Sequence, residues 1–159
     1  RQMCIRDRPN ELGMHTIVVQ LRDYTGTRII KSAYWKISVV SAVEDLPAQI
    51  TSNRTLTNDR AYRVAGIVQV RGNATLTIEP GTVVMGAPGS FPATSVLLVT
   101  TTGRLVAEGT RSRPIIMTSQ QPHGSRNRGD WGGLIMLGRA RVNDASGALT
   151  IEGLPEGED

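Results

Sequence analysis

The stretch LTIEPGTVVMG, residues 76–86, joins two short apolar runs through a tight corner. Leu76 and Ile78 alternate with threonine, which is the pattern of a β-strand with one buried face. A Glu-Pro-Gly-Thr corner follows, and the second apolar run begins immediately after it. Pro80 fixes its own φ and lacks a backbone donor, while Gly81 permits tight backbone angles. The two strands are therefore joined without a hairpin or a helix between them.

Short apolar runs recur from residue 62 to residue 151. One residue from each run gives three sets of three, namely Ile67, Leu76 and Val83, then Leu97, Leu105 and Ile115, then Leu134, Val142 and Leu149. Neighbours within a set are 7 to 10 residues apart, and the sets recur every 29 to 37 residues. The corner repeats too, because LVAEGT at 105–110 aligns with LTIEPGT at 76–82. These features predict an all-β chain with a right-handed parallel β-helix of three strands per coil.

An antiparallel sandwich of short strands is the alternative fold, but it gives no reason for a repeated corner. In a parallel β-helix each strand pairs with its counterpart one coil above or below. One set of side chains is then expected to point inward, comprising Ile67, Val70, Leu76, Ile78, Val83, Leu97, Val99, Leu105, Ile115, Met117, Leu134, Met136 and Ile151.

A β-hairpin is predicted ahead of the β-helix, at residues 14–40, with its turn in DYTGT at 23–27. Two strands with a large apolar face do not fold alone. The pattern resembles the final hairpin of an immunoglobulin-like sandwich, so residues 9–41 are assigned to the C-terminal hairpin of an incomplete module of that kind. The alternative is a hairpin that caps the β-helix. Residues 42–60 are polar and lack a period, which predicts a linker, and 61–159 are predicted to start a truncated β-helix.

The first eight residues, RQMCIRDR, share neither period nor composition with the rest of the chain. They resemble a translated sequencing adaptor, and we expect residues 1–8 to be non-native. They hold the single cysteine, Cys4, and +2 of the formal net charge of +4. The sequence contains no stretch of 18 apolar residues, so no membrane span is predicted. No signal peptide is visible. We expect the chain to be cut at both ends.

Three stretches carry a family resemblance: LTIEPGTVVMG at 76–86, GRLVAEGTRSRPIIMTS at 103–119 and GDWGGLIMLGRARVN at 129–143. Together they resemble bacterial secreted or lipid-anchored surface proteins with a pectin-lyase-like β-helix, which immunoglobulin-like modules often precede. The resemblance implies this fold and a secreted or cell-surface location at the bacterial outer membrane.

Two classes of function remain open at this stage. One is a non-enzymatic structural or adhesive protein, with a polysaccharide or cell-surface glycan as the candidate ligand. The other is a polysaccharide lyase or hydrolase whose catalytic coils lie beyond this chain. A third interpretation, a purely architectural stalk, predicts no ligand at all. No catalytic residue is assigned. The many arginines stand among acids and few aromatic residues, which disfavours nucleic-acid binding, and the oligomeric state is not predicted.

The longest insertion between strands, QQPHGSRNRGDW at 120–131, is the candidate recognition loop. Its candidate ligand-binding residues are Trp131, Asp130, Arg128 and His123, because an indole beside charged groups can stack on a sugar ring and hydrogen-bond its hydroxyls. The alternative is structural, with Trp131 folded back over the coil and Asp130 capping a turn. The integrin-type triplet Arg-Gly-Asp at 128–130 is discounted as a chance match.

Glu79 and Glu108 occupy equivalent corners of adjacent coils. Stacked strands lie about 4.8 Å apart, so the two carboxylates repel unless they splay into water or share a cation. Calcium, which favours clustered carboxylate oxygens, is therefore the candidate metal, and no other cofactor is expected. The alternative is two solvated corner residues. Glu79, Glu108 and Glu152 do not make up the acid set of a polysaccharide lyase, and His15 and His123 are too isolated to form a metal site.

Overall fold

The computed structural model describes residues 2–6, 12–89, 93–140 and 143, with the backbone alone for 2–6. An antiparallel sheet comes first, made of β1 (Gln2–Arg6), β2 (Gly13–Arg22) and β3 (Ile29–Val39) in the order β1-β2-β3. The remaining strands of the described ranges form a solenoid. No helix in these ranges is long and apolar enough to cross a lipid bilayer.

The solenoid repeats three strands per coil. Its strands are β4 (Val43–Asp45), β5 (Gln49–Ile50), β6 (Arg54–Leu56), β7 (Ala61–Val64), β8 (Ile67–Val70), β9 (Thr75–Ile78), β10 (Val83–Gly86), β11 (Val96–Val99), β12 (Arg104–Ala107), β13 (Ile116–Ser119) and β14 (Gly133–Met136). They stack into three parallel sheets, ordered β13-β10-β7-β4, β14-β11-β8-β5 and β12-β9-β6. The predicted right-handed parallel β-helix is confirmed.

The core runs along the inside of the three sheets. Leu76, Ile78 and Leu97 are at most 2% exposed, and they lie in register with the inward residues of neighbouring coils. Two further predicted core residues, Val70 and Val99, are also buried. Four more are partly buried and pack against this core, namely Leu105, Ile115, Met117 and Leu134. The core is thus built from rows of aliphatic side chains, in which each residue packs on its counterpart in the next coil, and not from contacts between the strands of hairpins.

Two predicted inward residues lie on the wrong face of their strands. Thr82 is buried at the corner, where its hydroxyl donates to the Leu56 carbonyl over 3.3 Å, so the alternation places Val84 inward at 0% exposure and leaves Val83 half-buried. Similarly, Val68 is fully buried and Ile67 is only half-buried. Side chains alternate between the two faces of a strand, so Ile67 cannot share a face with the inward Val70.

The other two predicted core residues lie at or beyond the last described rung. Met136 pairs with the buried Val99 and so occupies an inward register position, but it is 65% exposed because β14 is the last strand of its sheet in the described ranges. Ile151 lies outside the described residues.

The first coil lies inside the segment that was expected to be a linker. β4, β5 and β6 pair in parallel with β7, β8 and β9, so the solenoid begins at Val43 rather than at residue 61. These strands are only two or three residues long and hold too few apolar side chains to show a period. They become strands by pairing with the next coil. The connection that remains, at residues 40–42, is held where the Ser41 N–H donates to the Asp59 carbonyl over 2.9 Å.

The hairpin of β2 and β3 packs against a corner of the solenoid. The ammonium group of Lys36 donates to the main-chain carbonyls of Arg111 and Ser112, the latter over 3.2 Å. Met14 lies beside Gly81, since a Cβ built on that glycine would stand 3.7 Å from the Met14 Cβ. Trp35 on β3 is 53% exposed, so the apolar face of the hairpin is not fully covered.

Candidate functional site

The insertion at 120–131 joins β13 to β14 and is held by its own hydrogen bonds. The Arg126 Nε donates to the Gln121 carbonyl over 2.8 Å, and the Ser125 N–H donates to the Pro122 carbonyl over 3.0 Å. The Asn127 side-chain amide donates to the Ser125 carbonyl over 3.0 Å. These bonds give the loop a defined backbone without a strand or helix of its own.

Asp130 closes the loop. Its carboxylate accepts hydrogen bonds from the Ser119 hydroxyl and from the Asn127 N–H, the latter over 3.0 Å. These two donors, Ser119 first, lower the pKa of the Asp130 carboxyl because they stabilise its charged form. Ser119 is buried at 6% exposure, and its hydroxyl also accepts from the Gln121 N–H over 3.1 Å. The Asp130 carboxylate therefore links the end of the loop to β13 and to the loop's own backbone.

Trp131 lies over the preceding coil. A Cβ built on Gly86 would stand 2.2 Å from the indole Cδ2, so the ring rests directly on the glycine backbone. The next residue, Gly132, donates its N–H to the Ser95 carbonyl over 2.7 Å. The Gly89 N–H donates to the Asp130 carbonyl over 3.0 Å. The end of the loop is thus bound to the segment between β10 and β11.

The structure divides the four predicted ligand-binding residues into two pairs. Asp130 and Trp131 have the arrangement of the structural alternative, with a capped turn and a folded-back indole, although Trp131 keeps part of its surface accessible. Arg128 and His123 are exposed on the outside of the loop. The acid of the Arg-Gly-Asp triplet is occupied by Ser119 and Asn127, so that triplet is not presented as a free recognition motif.

The outer side of the loop is cationic. No acid occurs in the sequence between Glu108 and Asp130, and the Asp130 carboxylate is half-buried and accepts a hydrogen bond from the Asn127 N–H. The exposed charged groups of 120–131 are the guanidinium groups of Arg126 and Arg128, and the His123 imidazole is exposed on the same loop. A partly accessible indole and two exposed guanidinium groups on one loop are suited to a ligand that carries sugar rings and oxygen acceptors.

The two predicted calcium ligands lie on neighbouring rungs. Ala107 pairs with Ile78, so Glu108 follows one strand as Glu79 follows the other. The Glu79 Oε2 accepts from the backbone N–H and the side-chain amide of Asn58, over 3.3 and 3.4 Å, while Glu108 is exposed. Within the described part of the chain, no three His, Cys, Asp or Glu side chains come together in a group that could hold a metal ion. The calcium site stays a prediction that rests on two carboxylates.

Two residues that position the loop were missed by sequence reasoning. Gly86 and Ser119 pair across adjacent strands, and the consecutive residues Asp130 and Trp131 contact one of them each. One sequence signal for this position exists, because β10 and β13 both end in a small residue at the same register position. The sequence does not indicate that the loop folds back to that position.

An ionic network at the first coil was missed for a different reason. Glu44 accepts hydrogen bonds from Arg54 and from Arg60, the latter over 3.2 Å, and Arg60 also donates to Asp59 over 3.0 Å. Arg54 and Glu44 occupy inward register positions, opposite Leu76 and Tyr62. Charges replace aliphatic side chains at this end of the core, as expected of a terminal coil with a polar outer face.

Comparison with known families agrees with this architecture. The model of the pectate-lyase like beta helix domain matches residues 48–157, which is more than half of the chain and begins inside the first coil. No curated protein and no solved structure matches the chain. The stacked parallel strands and this match lead to one assignment: the chain belongs to the family of pectate-lyase-like β-helix domains.

Proposed function

We propose that this domain is a non-enzymatic, secreted or cell-surface module of a bacterial protein, and that its loop at 120–131 binds a polysaccharide or cell-surface glycan. One observation carries the proposal. Asp130 and Trp131 are fixed to Ser119 and Gly86 on two adjacent rungs, so the loop is held in place with Arg128 and His123 exposed on its outer side. A fixed loop loses little conformational entropy when it binds a ligand.

The glycan contact is expected at the accessible part of the Trp131 indole and at the exposed guanidinium group of Arg128 on the same loop. The indole supplies apolar area for a sugar ring. The Arg128 guanidinium supplies several hydrogen-bond donors in a rigid plane for hydroxyl or carboxylate oxygens.

The second candidate function is a polysaccharide lyase or hydrolase. Membership of the pectate-lyase-like family favours it. Enzymes of this kind would need acids and a basic residue stacked along one face of further coils, with calcium as the expected metal.

The test is to screen the protein, expressed from its complete reading frame, on a glycan array and to assay depolymerisation of the bound polysaccharides with and without calcium. Binding without product release supports the proposal, and calcium-dependent cleavage overturns it in favour of the enzyme. Arg128→Ala is expected to weaken binding about tenfold, the loss of one or two charge-assisted hydrogen bonds. The matched control is Arg104→Ala, which removes an exposed arginine from β12, outside the loop. Equal losses in both variants contradict a site at the loop.

A further inference from the structure

β3 is the edge strand of its sheet. It spans the eleven residues Ile29–Val39, and β2 is the only described strand that pairs with it. Backbone groups of an antiparallel strand point alternately to one side and the other. Half of the N–H and C=O groups of β3 therefore face away from β2, and such an edge is a template for another strand.

The usual protection of an edge strand is weak here. Edge strands are commonly guarded by lysine, proline or a bulge. β3 contains no proline, and the ammonium group of Lys36 is engaged by carbonyls of the solenoid. The strand has one bulge, at Ile30, because Leu21 pairs with Lys31 and Arg22 with Ile29. This bulge and the exposed Lys31 guard only the end of the strand next to the turn. Four large side chains on the strand are exposed, with fractions of 45% for Ile29, 55% for Ile30, 67% for Tyr34 and 53% for Trp35.

We propose that the protein forms a two-fold symmetric dimer in which β3 pairs antiparallel with β3 of a second copy, centred on Tyr34. This register pairs residues 31–37, the part of β3 centred on Tyr34 that excludes the bulge at Ile30, and it joins two three-stranded sheets into one of six strands. Sheets of that size are common, whereas a small isolated sheet is only marginally stable. The inference is independent of the glycan-binding proposal.

The side chains of β3 are self-complementary in this register, and for that reason we assign a second copy as the occupant. Tyr34 stands opposite Tyr34 of the second copy, an aromatic pair of the kind that stabilises neighbouring strands. Trp35 stands opposite Ala33, so a large side chain meets a small one. Lys31 stands opposite Ile37, and Lys36 opposite Ser32, so no two ammonium groups face each other directly. Like charges directly opposite would be destabilising.

The test is sedimentation equilibrium of the full chain over a range from micromolar to millimolar concentration, and a concentration-dependent dimer is expected. Tyr34→Lys places two ammonium groups opposite each other, and it is expected to raise the dimer Kd at least about tenfold. Tyr34→Glu should do the same with two carboxylates. An equimolar mixture of the two variants should restore dimerisation, because opposite charges then face each other. Tyr34 is exposed, so these changes leave the fold of the monomer intact, and circular dichroism checks this.

The matched control is Tyr24→Lys, which makes the same change at a 93% exposed tyrosine in the hairpin turn, outside β3. It should leave the Kd unchanged. The register is tested by oxidation of Tyr34→Cys in a Cys4→Ser background, since residues directly opposite in an antiparallel pair lie about 4.5–5.5 Å apart at Cα, within disulfide reach. A monomer at every concentration overturns the proposal. So does a dimer that Tyr34→Lys and Tyr24→Lys weaken equally, or that the mixed variants do not restore.

Discussion

The indole of Trp131 lies flat enough on Gly86 that a Cβ at that glycine would stand 2.2 to 2.4 Å from three ring carbons. No side chain other than hydrogen fits there without moving the ring. Because Gly86 ends β10 and Trp131 ends the candidate loop, this one contact ties the loop to the strand one coil earlier.

Gly86→Ala is expected to displace Trp131 and to lower the free energy of unfolding by about 1–3 kcal/mol, the usual cost of overpacking. Trp35→Phe leaves Trp131 as the single tryptophan, so its fluorescence reports the displacement as a shift to longer wavelength. Gly138→Ala is the matched control, since a Cβ there meets nothing within 4 Å. An unchanged emission spectrum in the Gly86 variant would contradict the contact.

Gly103→Ala is expected to be more damaging, with a loss of about 3 kcal/mol. A Cβ at Gly103 would stand 2.0 Å from the Val70 carbonyl oxygen, and a backbone atom of the preceding coil cannot move aside as a flexible side chain can. Chemical denaturation measures the change, again against Gly138→Ala. Equal stability of the two variants would show that the corners of adjacent coils do not approach this closely.

Two valines on the same strand test the register of β10. Val84→Ala should lower the free energy of unfolding by about 2–3 kcal/mol, because it leaves a cavity in the closed core. Val83→Ala makes the same chemical change on the opposite face and should cost about 1 kcal/mol or less. Thermal or chemical unfolding of both variants gives the comparison. If Val83→Ala were the more harmful change, Val83 rather than Val84 would point into the core, and the register assigned to β10 would be wrong.

The ionic network of the first coil should make stability depend on acidity. Hydrogen bonds from Arg60 and then Thr57 lower the pKa of Asp59 from 3.8 to about 2. A carboxyl whose pKa is lowered by folding stabilises the protein above its unfolded pKa, and this contribution is lost as the pH falls through the folded value. We therefore expect the free energy of unfolding to fall between pH 4 and pH 2, the window set by these two pKa values.

Asp59→Asn should flatten that fall, as measured by denaturant unfolding at a series of pH values. Arg60→Gln removes the main donor and should produce a similar flattening with the aspartate still in place, because the pKa of Asp59 then returns toward its usual value. A pH profile that neither variant alters would rule out Asp59 as a source of the acid sensitivity.

Much of the solenoid was predictable because its signals are local and repeated. The corner at 76–82 and its copy at 105–110 establish parallel stacking, since adjacent strands that share a corner cannot form a hairpin. The first coil was not predictable in the same way. β5 is only two residues long, too short to show alternation, and it is a strand because β8 pairs with it.

For the candidate loop, too, some features were predictable from the sequence and others were not. Its position, its length and its cationic side chains follow from the sequence. The sequence also singled out Trp131 and Asp130, but it left open whether they bind a ligand or hold the loop in place. The choice of partners, Gly86 for the indole and Ser119 for the carboxylate, depends on which rung the loop folds back to.

The sequence by itself determined the parallel β-helix, its corners and most of its inward rows, because a side-chain period and a repeated turn are properties of consecutive residues. Only the tertiary structure decided that the solenoid starts at Val43, which face of β10 points inward, and that the Trp131 indole packs on Gly86. Each of these depends on contacts between residues that are 18 to 45 positions apart in the sequence, as in the pairs Val43–Ala61 and Gly86–Trp131. Such contacts form when coils stack, and no local pattern encodes them.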